Sequence, residues 1–289
     1  MPPYKRQHFL PAAYLKYFST DQNSCNRESK VWRCDGKTAR CVSVVSQCFG
    51  DYFYSRDNAA GVEANFQISE KLYCGCVDKI KANRPLTENE YGSLLIVMID
   101  FHLRNAIHEN QTGKEEIEAY RLRSRLFTQQ ILLGRTDDLI TKQDMIAHVE
   151  KYWSMQILTV QSGNQVFTSD NPSVWHTFRK NKPGVHLITL PLTPFHVAVA
   201  FDRRVLQVED GILTAEDQQT LNAGQIENAA QAVYASIEFP TDNMTLFGEL
   251  FMQKSKAGCF VNRQTWSLSM KFVLPGFMFS FVKMNPPLM

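Results

Sequence analysis

The sequence has no long hydrophobic run and no large excess of either charge. Its longest apolar stretch, Leu94 to Ile99, holds six residues before Asp100 interrupts it, whereas a membrane-spanning helix needs about 20. The 31 Lys and Arg residues face 29 Asp and Glu residues, which leaves a formal net charge of +2. We therefore expect no membrane span, and a nucleic-acid partner would have to be met by a local basic patch.

Glycine and proline are also scarce, at 14 and 12 of 289 residues, which excludes collagen-like and linker-dominated chains. With 44% apolar residues the chain can bury a core, and we expect a single large domain over residues 1–289. The first residues lack the apolar stretch of a signal peptide, and the seven cysteines are an odd number. Both features favour a cytoplasmic protein with reduced thiols over a disulfide framework.

The pattern of apolar residues predicts an α+β fold that begins with a hairpin. Two β-rich stretches, 31–34 and 41–45, flank the turn signal Asp35-Gly36. Over about 60–153 the apolar period changes to 3.6 residues, which predicts a helical subdomain. Its clearest start is the capping box from Thr87 to Glu90.

The second half of the sequence predicts a strand-rich part followed by a long helix. A turn at 162–164 separates two β-rich stretches, which favours a second hairpin. The remaining predicted elements are helices at about 114–133, 141–153 and 214–236, and strands at 186–190, 196–201, 258–262 and 266–273.

The common cofactor, nucleotide and catalytic-triad motifs are missing from the sequence, so the candidate site depends on individual polar residues. His8 precedes Pro11 and a short aromatic helix that contains Tyr14. An imidazole titrates near neutral pH, so His8 is a candidate general base or metal ligand. The alternative is a histidine that only hydrogen-bonds where the N-terminal segment docks on the core.

Several motifs occur in a fixed order between residues 5 and 237, and together they resemble the DUF4238 family of uncharacterised, mostly bacterial proteins. The motifs are the following: His8-x-x-Pro-x-x-Tyr14-Leu-x-x-Phe18, the strand Val31-Trp32-Arg33, the acidic helix from Glu63 to Glu70, the helix that ends in Arg104, the turn Phe167-Thr-Ser-Asp170-Asn171-Pro172, Leu190-Pro-Leu-Thr-Pro194, and Leu221-Asn222 with Ala229 and Tyr234. The resemblance implies no established activity. It does single out His8, Glu63, Glu70, Arg104 and Asp170 as candidate catalytic residues.

Glu63 and Glu70 are seven residues apart, so they share a helix face and lie about 10.5 Å apart along it at 1.5 Å per residue. Apolar neighbours on that face would partly bury them, and a buried carboxylate needs a partner. Arg104 and His8 are the partners we expect. The alternative is a purely structural ion pair between Glu70 and Arg104 that joins two packed helices.

Asp170 follows a predicted strand in a Ser-Asp-Asn-Pro run, where an aspartate commonly caps its own turn. Loops at strand ends also carry reactive groups, so both roles stay open for Asp170. Tyr14, Asn171 and Asn222 lie in the same motifs and are candidate substrate-binding residues.

These residues support two hypotheses of different classes. The first is a hydrolase, specifically a nuclease assisted by Mg²⁺ or Mn²⁺, because carboxylates with a histidine and an arginine suit phosphodiester cleavage. The second is a non-catalytic interaction protein in which the same polar residues hold the fold together. A nucleic-acid-binding variant of the second hypothesis would use the basic helix face at Arg121, Arg123 and Arg125.

Overall fold

The structure is a computed structural model that describes residues 6–21, 28–51, 59–104, 141–161, 163–177, 185–209, 211–239, 271–272, 280 and 282–284. In chain order the helices in these ranges are α1 (Ala12–Lys16), α2 (Ala59–Lys81), α3 (Glu88–Leu103), α4 (Lys142–Tyr152) and α5 (Ala215–Asn228). The strands are β1 (Arg6–His8), β2 (Lys30–Cys34), β3 (Ala39–Ser43), β4 (Phe49–Asp51), β5 (Trp153–Val160), β6 (Thr168–Ser169), β7 (Val174–Thr177), β8 (Leu187–Thr193), β9 (His196–Asp202), β10 (Leu206–Val208), β11 (Ile212–Leu213), β12 (Val233–Ala235), β13 (Lys271–Phe272) and β14 (Val282–Met284). The predicted α+β class is confirmed.

Local sequence signals determine where the longer helices begin and end. Capping boxes of the form Thr-x-x-Glu or Thr-x-x-Asp start α3, α4 and α5. The end of α2 is a Schellman motif: Asn83 has φ +52°, and the Arg84 amide donates to the Lys79 carbonyl at 2.9 Å. Asparagine tolerates this left-handed conformation better than most residues, so α2 stops there and the chain turns toward α3.

The described strands form four sheets: two larger ones and the two-stranded pairs β1-β4 and β10-β14. The predicted N-terminal hairpin is confirmed as β2 and β3, which pair antiparallel within a four-stranded sheet of order β3-β2-β12-β6. The larger sheet has the order β11-β5-β9-β8-β7-β13. Its central strands β8 and β9 are buried along nearly their whole length, as expected for strands that are covered on both faces.

Alternate residues of β8 and β9 belong to two separate apolar clusters. Ile188, Leu190 and Ala198 pack with α1, α2 and α3 in one cluster. Leu187 and Val197 pack in the other, which also contains residues of α5 and β10. The two-residue period of a strand therefore places the predicted helical block on one face of the sheet and α5 on the other.

The predicted second hairpin is wrong. β5 pairs antiparallel with β9 and parallel with β11, whereas β6 pairs with β12 in the other sheet. The segment between β5 and β6 thus crosses from one sheet to the other. Its turn signal is local, but the pairing of each strand is decided by distant partners.

The predicted long helix at 214–236 is also wrong in its extent. α5 has 14 residues and ends at Asn228, and residues 233–235 form the buried strand β12 between β2 and β6. The amide of the C-cap residue Ala229 still donates to the Gln225 carbonyl. The helix ends there because the two amides that follow, of Ala230 and Gln231, donate to the Asp170 carboxylate at 2.8 and 2.7 Å.

Some predicted elements lie outside the described residues, namely the helix at 114–133 with its arginines, the strand at 258–262 and most of the strand at 266–273. In the described ranges, no helix combines the length and apolar character that crossing a bilayer would require. The described cysteines, Cys34, Cys41, Cys48, Cys74 and Cys76, are free thiols.

Tyr14 connects the N-terminal helix to the larger sheet. Its buried ring lies in an aromatic cluster, 5.2 Å from the ring centroids of both Tyr73 and Phe101. Its hydroxyl group donates to the Pro191 carbonyl at 2.7 Å and lies 2.6 Å from the Thr168 hydroxyl oxygen. The hydroxyl group therefore satisfies polar atoms in both larger sheets at a point that water does not reach.

We predict that Tyr14→Phe lowers the free energy of unfolding by about 1–3 kcal/mol, because it leaves buried polar partners at Pro191 and Thr168 unsatisfied. Urea denaturation measures the difference. Tyr91→Phe, at a partly exposed position on α3, is the control and should stay within about 0.5 kcal/mol of wild type. Equal stability of the two variants would contradict this role of Tyr14.

Candidate functional site

Arg104 is the centre of the candidate site. Its side chain is 1% exposed, and its Nη2 atom donates to the His8 carbonyl at 3.0 Å and to Glu70 Oε1 at 3.3 Å. Its Nη1 atom lies 3.6 Å from Asp100 Oδ2. The guanidinium carbon lies 3.8 Å from the centroid of the Phe66 ring. A fully buried cation is thus held by a main-chain oxygen, two carboxylates and an aromatic face.

Helical spacing places these partners around the guanidinium. Asp100 and Arg104 are four residues apart at the C-terminal end of α3, so they share one face of that helix. Phe66 and Glu70 have the same spacing on α2, and α2 packs against α3. β1 supplies the third side through the carbonyl of His8. The arginine therefore joins three elements that are far apart in sequence.

Burial perturbs both carboxylates of the cluster. It raises the pKa of Glu70, an effect that Arg104 opposes and that the charge of Asp100 reinforces. Burial likewise raises the pKa of Asp100, with Arg104 and a hydrogen bond from Ser69 acting in the opposite direction. The Glu70 side chain is 25% exposed, so the cluster reaches solvent at this carboxylate. One guanidinium thus faces two carboxylates that ionise less readily than usual.

His8 is perturbed in the opposite direction. Burial lowers the pKa of its imidazole, a hydrogen bond with the main chain of Val45 opposes that change, and the nearby charge of Arg104 adds to it. Its Nε2 atom is buried and has no hydrogen-bond partner within the described ranges. A buried nitrogen without a partner is unusual and calls for an explanation. Because the hydrogen bond with Val45 uses the other ring nitrogen, Nε2 is the nitrogen that can accept a proton when the ring is neutral.

An exposed basic and aromatic surface lies beside His8. Arg6 and His8 are two residues apart on β1 and therefore lie on the same face of the β1–β4 ribbon. The guanidinium carbon of exposed Arg6 is 4.7 Å from the centroid of the Phe49 ring, and the His8 and Phe49 centroids are 5.7 Å apart. A cation and a half-buried aromatic ring thus lie next to the imidazole.

Asp170 belongs to a different network. Its carboxylate is buried and accepts hydrogen bonds from the amides of Ala230 and Gln231, directly after α5. Its own amide donates to the Ala232 carbonyl at 3.1 Å. Asp170 therefore anchors the segment that leads from α5 into β12, which is a capping role of the kind that its turn sequence allows.

The three candidate substrate-binding residues also bond within the protein. Asn171 and Asn228 exchange side-chain bonds with each other's main-chain carbonyls, at 3.3 and 2.6 Å. Asn222 accepts from the Phe167 amide at 2.7 Å and donates to the Gln165 carbonyl at 3.3 Å. Tyr14 bonds to Thr168 and Pro191, as described above. The structure thus brings the main-chain carbonyl of His8 and the side chain of Glu70 to Arg104. Asp170, Asn171 and Asn222 lie elsewhere, in the hydrogen bonds around α5 and the residues that follow it, which we call the α5 network.

The remaining candidate, Glu63, lies in α2, and its side chain is outside the described residues. Among the side chains that are described, no group of three or more histidine, cysteine, aspartate and glutamate residues is arranged to hold a metal ion. Glu70 and Asp100 are the only pair of carboxylates around Arg104 in the described part of the site, and both face its positive charge.

A comparison with family models covers the whole range of the motifs from His8 to Tyr234. The family model described as a protein of unknown function (DUF4238) matches residues 6–239. The chain belongs to this family. The DUF4238 region contains the Arg104 cluster, the α5 network and both larger sheets apart from β13. No curated protein and no solved structure matches the chain.

The sequence interpretation missed three residues of the site. Asp100 was detectable, because an acidic residue four positions before an arginine in a helix is a recognisable pair. Phe66 is on the same helix face as Glu70 and was expected only to bury it. Arg6 carried no signal, since its relation to His8 depends on an extended β1 and on its pairing with β4.

We predict that Arg104→Met lowers the free energy of unfolding by about 3 kcal/mol. The reason is that it leaves Glu70, Asp100 and the His8 carbonyl without their cationic partner, in a largely buried place. Arg84→Met, at an exposed arginine just after α2, is the matched control and should change stability by less than about 0.5 kcal/mol. Chemical denaturation compares the two, and a similar small effect in both would show that the cluster does not stabilise the fold.

We predict that His8→Gln weakens the loss of stability on acidification. Because the folded-state pKa of His8 is below its ordinary value of 6.5, the unfolded chain binds this proton more tightly, so stability falls as pH drops below about 6.5. Urea denaturation at pH 7.5 and pH 5.5 measures this slope. His196, whose pKa burial also lowers, contributes its own share, so His196→Gln and His8→Gln should act additively. An unchanged slope in His8→Gln would contradict the burial of its imidazole.

Proposed function

We propose that the protein is a hydrolase whose reaction centre is the Arg104 cluster, and that its substrates are phosphodiesters of RNA or DNA. The observation that carries the proposal is the buried Nε2 atom of His8, which has no hydrogen-bond partner in the described ranges. Burial also lowers the pKa of this imidazole, which favours its neutral form. A substrate hydroxyl group or a water molecule that reached this nitrogen would supply the missing hydrogen bond. The same contact would place its proton where a base can accept it.

The pKa values of His8 and Glu70 are shifted in opposite directions, which supports acid–base chemistry at the Arg104 cluster. His8 has a lowered pKa and is suited to accept a proton at neutral pH, whereas Glu70 has a raised pKa and is suited to hold one. Pairs of titratable groups whose environments shift their pKa values in opposite directions are typical of acid–base sites. In this proposal His8 deprotonates the nucleophile and Glu70 protonates the leaving oxygen.

Arg104 acts in this proposal as a positioning residue, because its side chain is too buried to touch a substrate. Its bonds to the His8 carbonyl and to Glu70 hold the base and the acid on the same guanidinium. The positive charge that a phosphodiester needs comes instead from exposed Arg6, on the same face of β1 as His8. Phe49 beside it offers a ring on which a nucleobase can stack.

The proposed chemistry includes no step through a metal ion. The described side chains contain no metal-binding group of three ligands, and Arg104 already neutralises part of the charge on Glu70 and Asp100. The dependence of cleavage on Mg²⁺ or Mn²⁺, which the sequence led us to expect, is therefore tested by running the assay with and without these ions. Activity that required either ion would bring Glu63 back as the candidate ligand.

The second candidate function, a non-catalytic interaction protein, is supported by the α5 network. Asp170, Asn171 and Asn222 all use their side chains on main-chain groups of the same protein. These residues of the motifs thus stabilise the fold through contacts that do not involve a substrate. If the Arg104 cluster is of the same kind, substitutions there will change stability and no activity will be found.

We predict that the full chain cleaves labelled single-stranded RNA or DNA and that His8→Gln lowers kcat by at least about 100-fold, the usual contribution of a general base. Glu70→Gln should lower kcat by a similar factor and shift the pH–rate profile. His196→Gln is the matched control, because that half-buried histidine also has a lowered pKa and lies at the β8–β9 turn. Assays with and without Mg²⁺ and Mn²⁺ measure the rates.

The melting temperature of each variant separates the two functions. Loss of activity in a His8→Gln protein that melts close to wild type supports the hydrolase. Absence of cleavage by wild type under all metal conditions, or equal cleavage by wild type and His8→Gln, overturns it in favour of the interaction protein.

A further inference from the structure

A short segment from the C-terminal part of the chain packs against the DUF4238 region. The family match ends at residue 239, whereas β14 spans Val282–Met284. β14 pairs antiparallel with β10, in the register Leu206 to Met284 and Val208 to Val282. A strand from beyond the family region thus forms a two-stranded sheet with β10, which lies inside that region.

Three side-chain contacts fix this segment in addition to the strand pairing. Asp217 Oδ1 accepts from the Ser280 amide at 2.7 Å, and Oδ2 accepts from the Ser280 hydroxyl group at 2.5 Å. Val282 is 3% exposed and packs in the apolar cluster that includes Leu206 and Val208. Lys283, which is exposed, forms an ion pair with Glu209.

The Asp217 carboxylate binds the segment through acceptor positions that its helix-capping bonds leave available. In α5 it closes the capping box with Thr214, in the same way that Asp144 closes the box of α4 with Thr141. The Asp144 carboxylate bonds to Thr141 through Oδ2. The Asp217 carboxylate makes the equivalent bonds to Thr214 and also binds both polar groups of Ser280.

This arrangement has the parts of a peptide-recognition site that works by strand addition. In that mode the main-chain bonds of an edge strand give affinity, and pockets for particular side chains give specificity. Here β10 supplies the main-chain groups that pair with β14, an apolar cluster receives Val282, and polar groups at the two ends bind Ser280 and Lys283.

We propose that β10, Asp217 and the apolar cluster around Val282 form a peptide-docking site of the DUF4238 region, which this chain fills in cis with its own Ser280 and Val282–Met284. The ligand class is an extended segment with a serine, an apolar residue two positions later and a basic residue after that. The pairing involves three residues of β14, so it can open without unfolding the sheets, as short surface elements commonly do.

The test uses the full chain and a labelled peptide of residues 278–286. Val282→Asp places a carboxylate in the apolar cluster and should release the chain's own segment, which otherwise competes at the high effective concentration of a tethered ligand. Fluorescence anisotropy should then show at least about tenfold tighter binding of the peptide to Val282→Asp than to wild type. A peptide that carries the same Val→Asp change should not bind.

Adding Asp217→Asn to the Val282→Asp chain should weaken peptide binding, whereas adding Asp144→Asn should not. Both substitutions disturb a capping box of the same form, so the difference between them isolates the contact with Ser280. Equal effects of the two, or equal peptide binding by wild type and Val282→Asp, would overturn the proposal.

Hydrogen exchange on the wild-type chain gives an answer that does not depend on how the variants fold. The proposal expects the amides of 206–208 and 282–284 to exchange together through an opening that costs less than global unfolding. Exchange only on global unfolding would make β14 an integral part of the fold and would overturn the proposal. A wild-type dimer that Val282→Asp converts to a monomer would assign the site to a second copy and overturn the occupation in cis.

Discussion

The buried guanidinium of Arg104 is the constraint on which the N-terminal half of the fold depends. A cation that is 1% exposed loses its hydration, and only well-placed partners offset that cost. Its partners come from β1, α2 and α3, so the guanidinium fixes how these three elements meet. Packing of apolar side chains allows small shifts between elements, whereas hydrogen bonds of 3.0 to 3.3 Å to a planar, forked group allow far fewer.

Asp170 plays the corresponding part in the C-terminal half with the opposite charge. Its carboxylate is also buried, and the amides of Ala230 and Gln231 solvate it in place of water. The result is an abrupt end to α5 and a turn into β12, which then lies between β2 and β6. The two halves are joined through Tyr14, whose hydroxyl group contacts Thr168 next to this network and whose ring contacts Phe101 near Arg104.

The sequence predicted the elements whose signals are local and missed those that depend on distant partners. The capping box at Thr87, the hairpin of β2 and β3 and the end of the helical block near Tyr152 follow from a few adjacent residues, and the structure has them. Residues 229–236 read as helix because nothing within them reveals Asp170, about 60 positions earlier. The false hairpin at 156–168 has the same origin, since strand pairing partners are chosen by the whole sheet.

In the candidate site, too, some features could be predicted from local sequence signals and others depend on distant residues. The pairing of Glu70 with Arg104 was foreseeable from charge and burial, but a sequence cannot show that the nitrogen of a particular histidine is buried without a partner. A purely structural cluster would gain stability from satisfying that nitrogen. Trp153 Nε1 and Gln156 Oε1 are also buried without a hydrogen-bond partner in the described ranges, so His8 Nε2 is distinguished by its place beside the Arg104 cluster. Glu70 and Arg104 do satisfy each other, so they alone favour the structural interpretation. His8 is the residue on which the distinction depends, because its main-chain carbonyl accepts from Arg104, whereas Nε2 of its ring is buried without a hydrogen-bond partner in the described ranges.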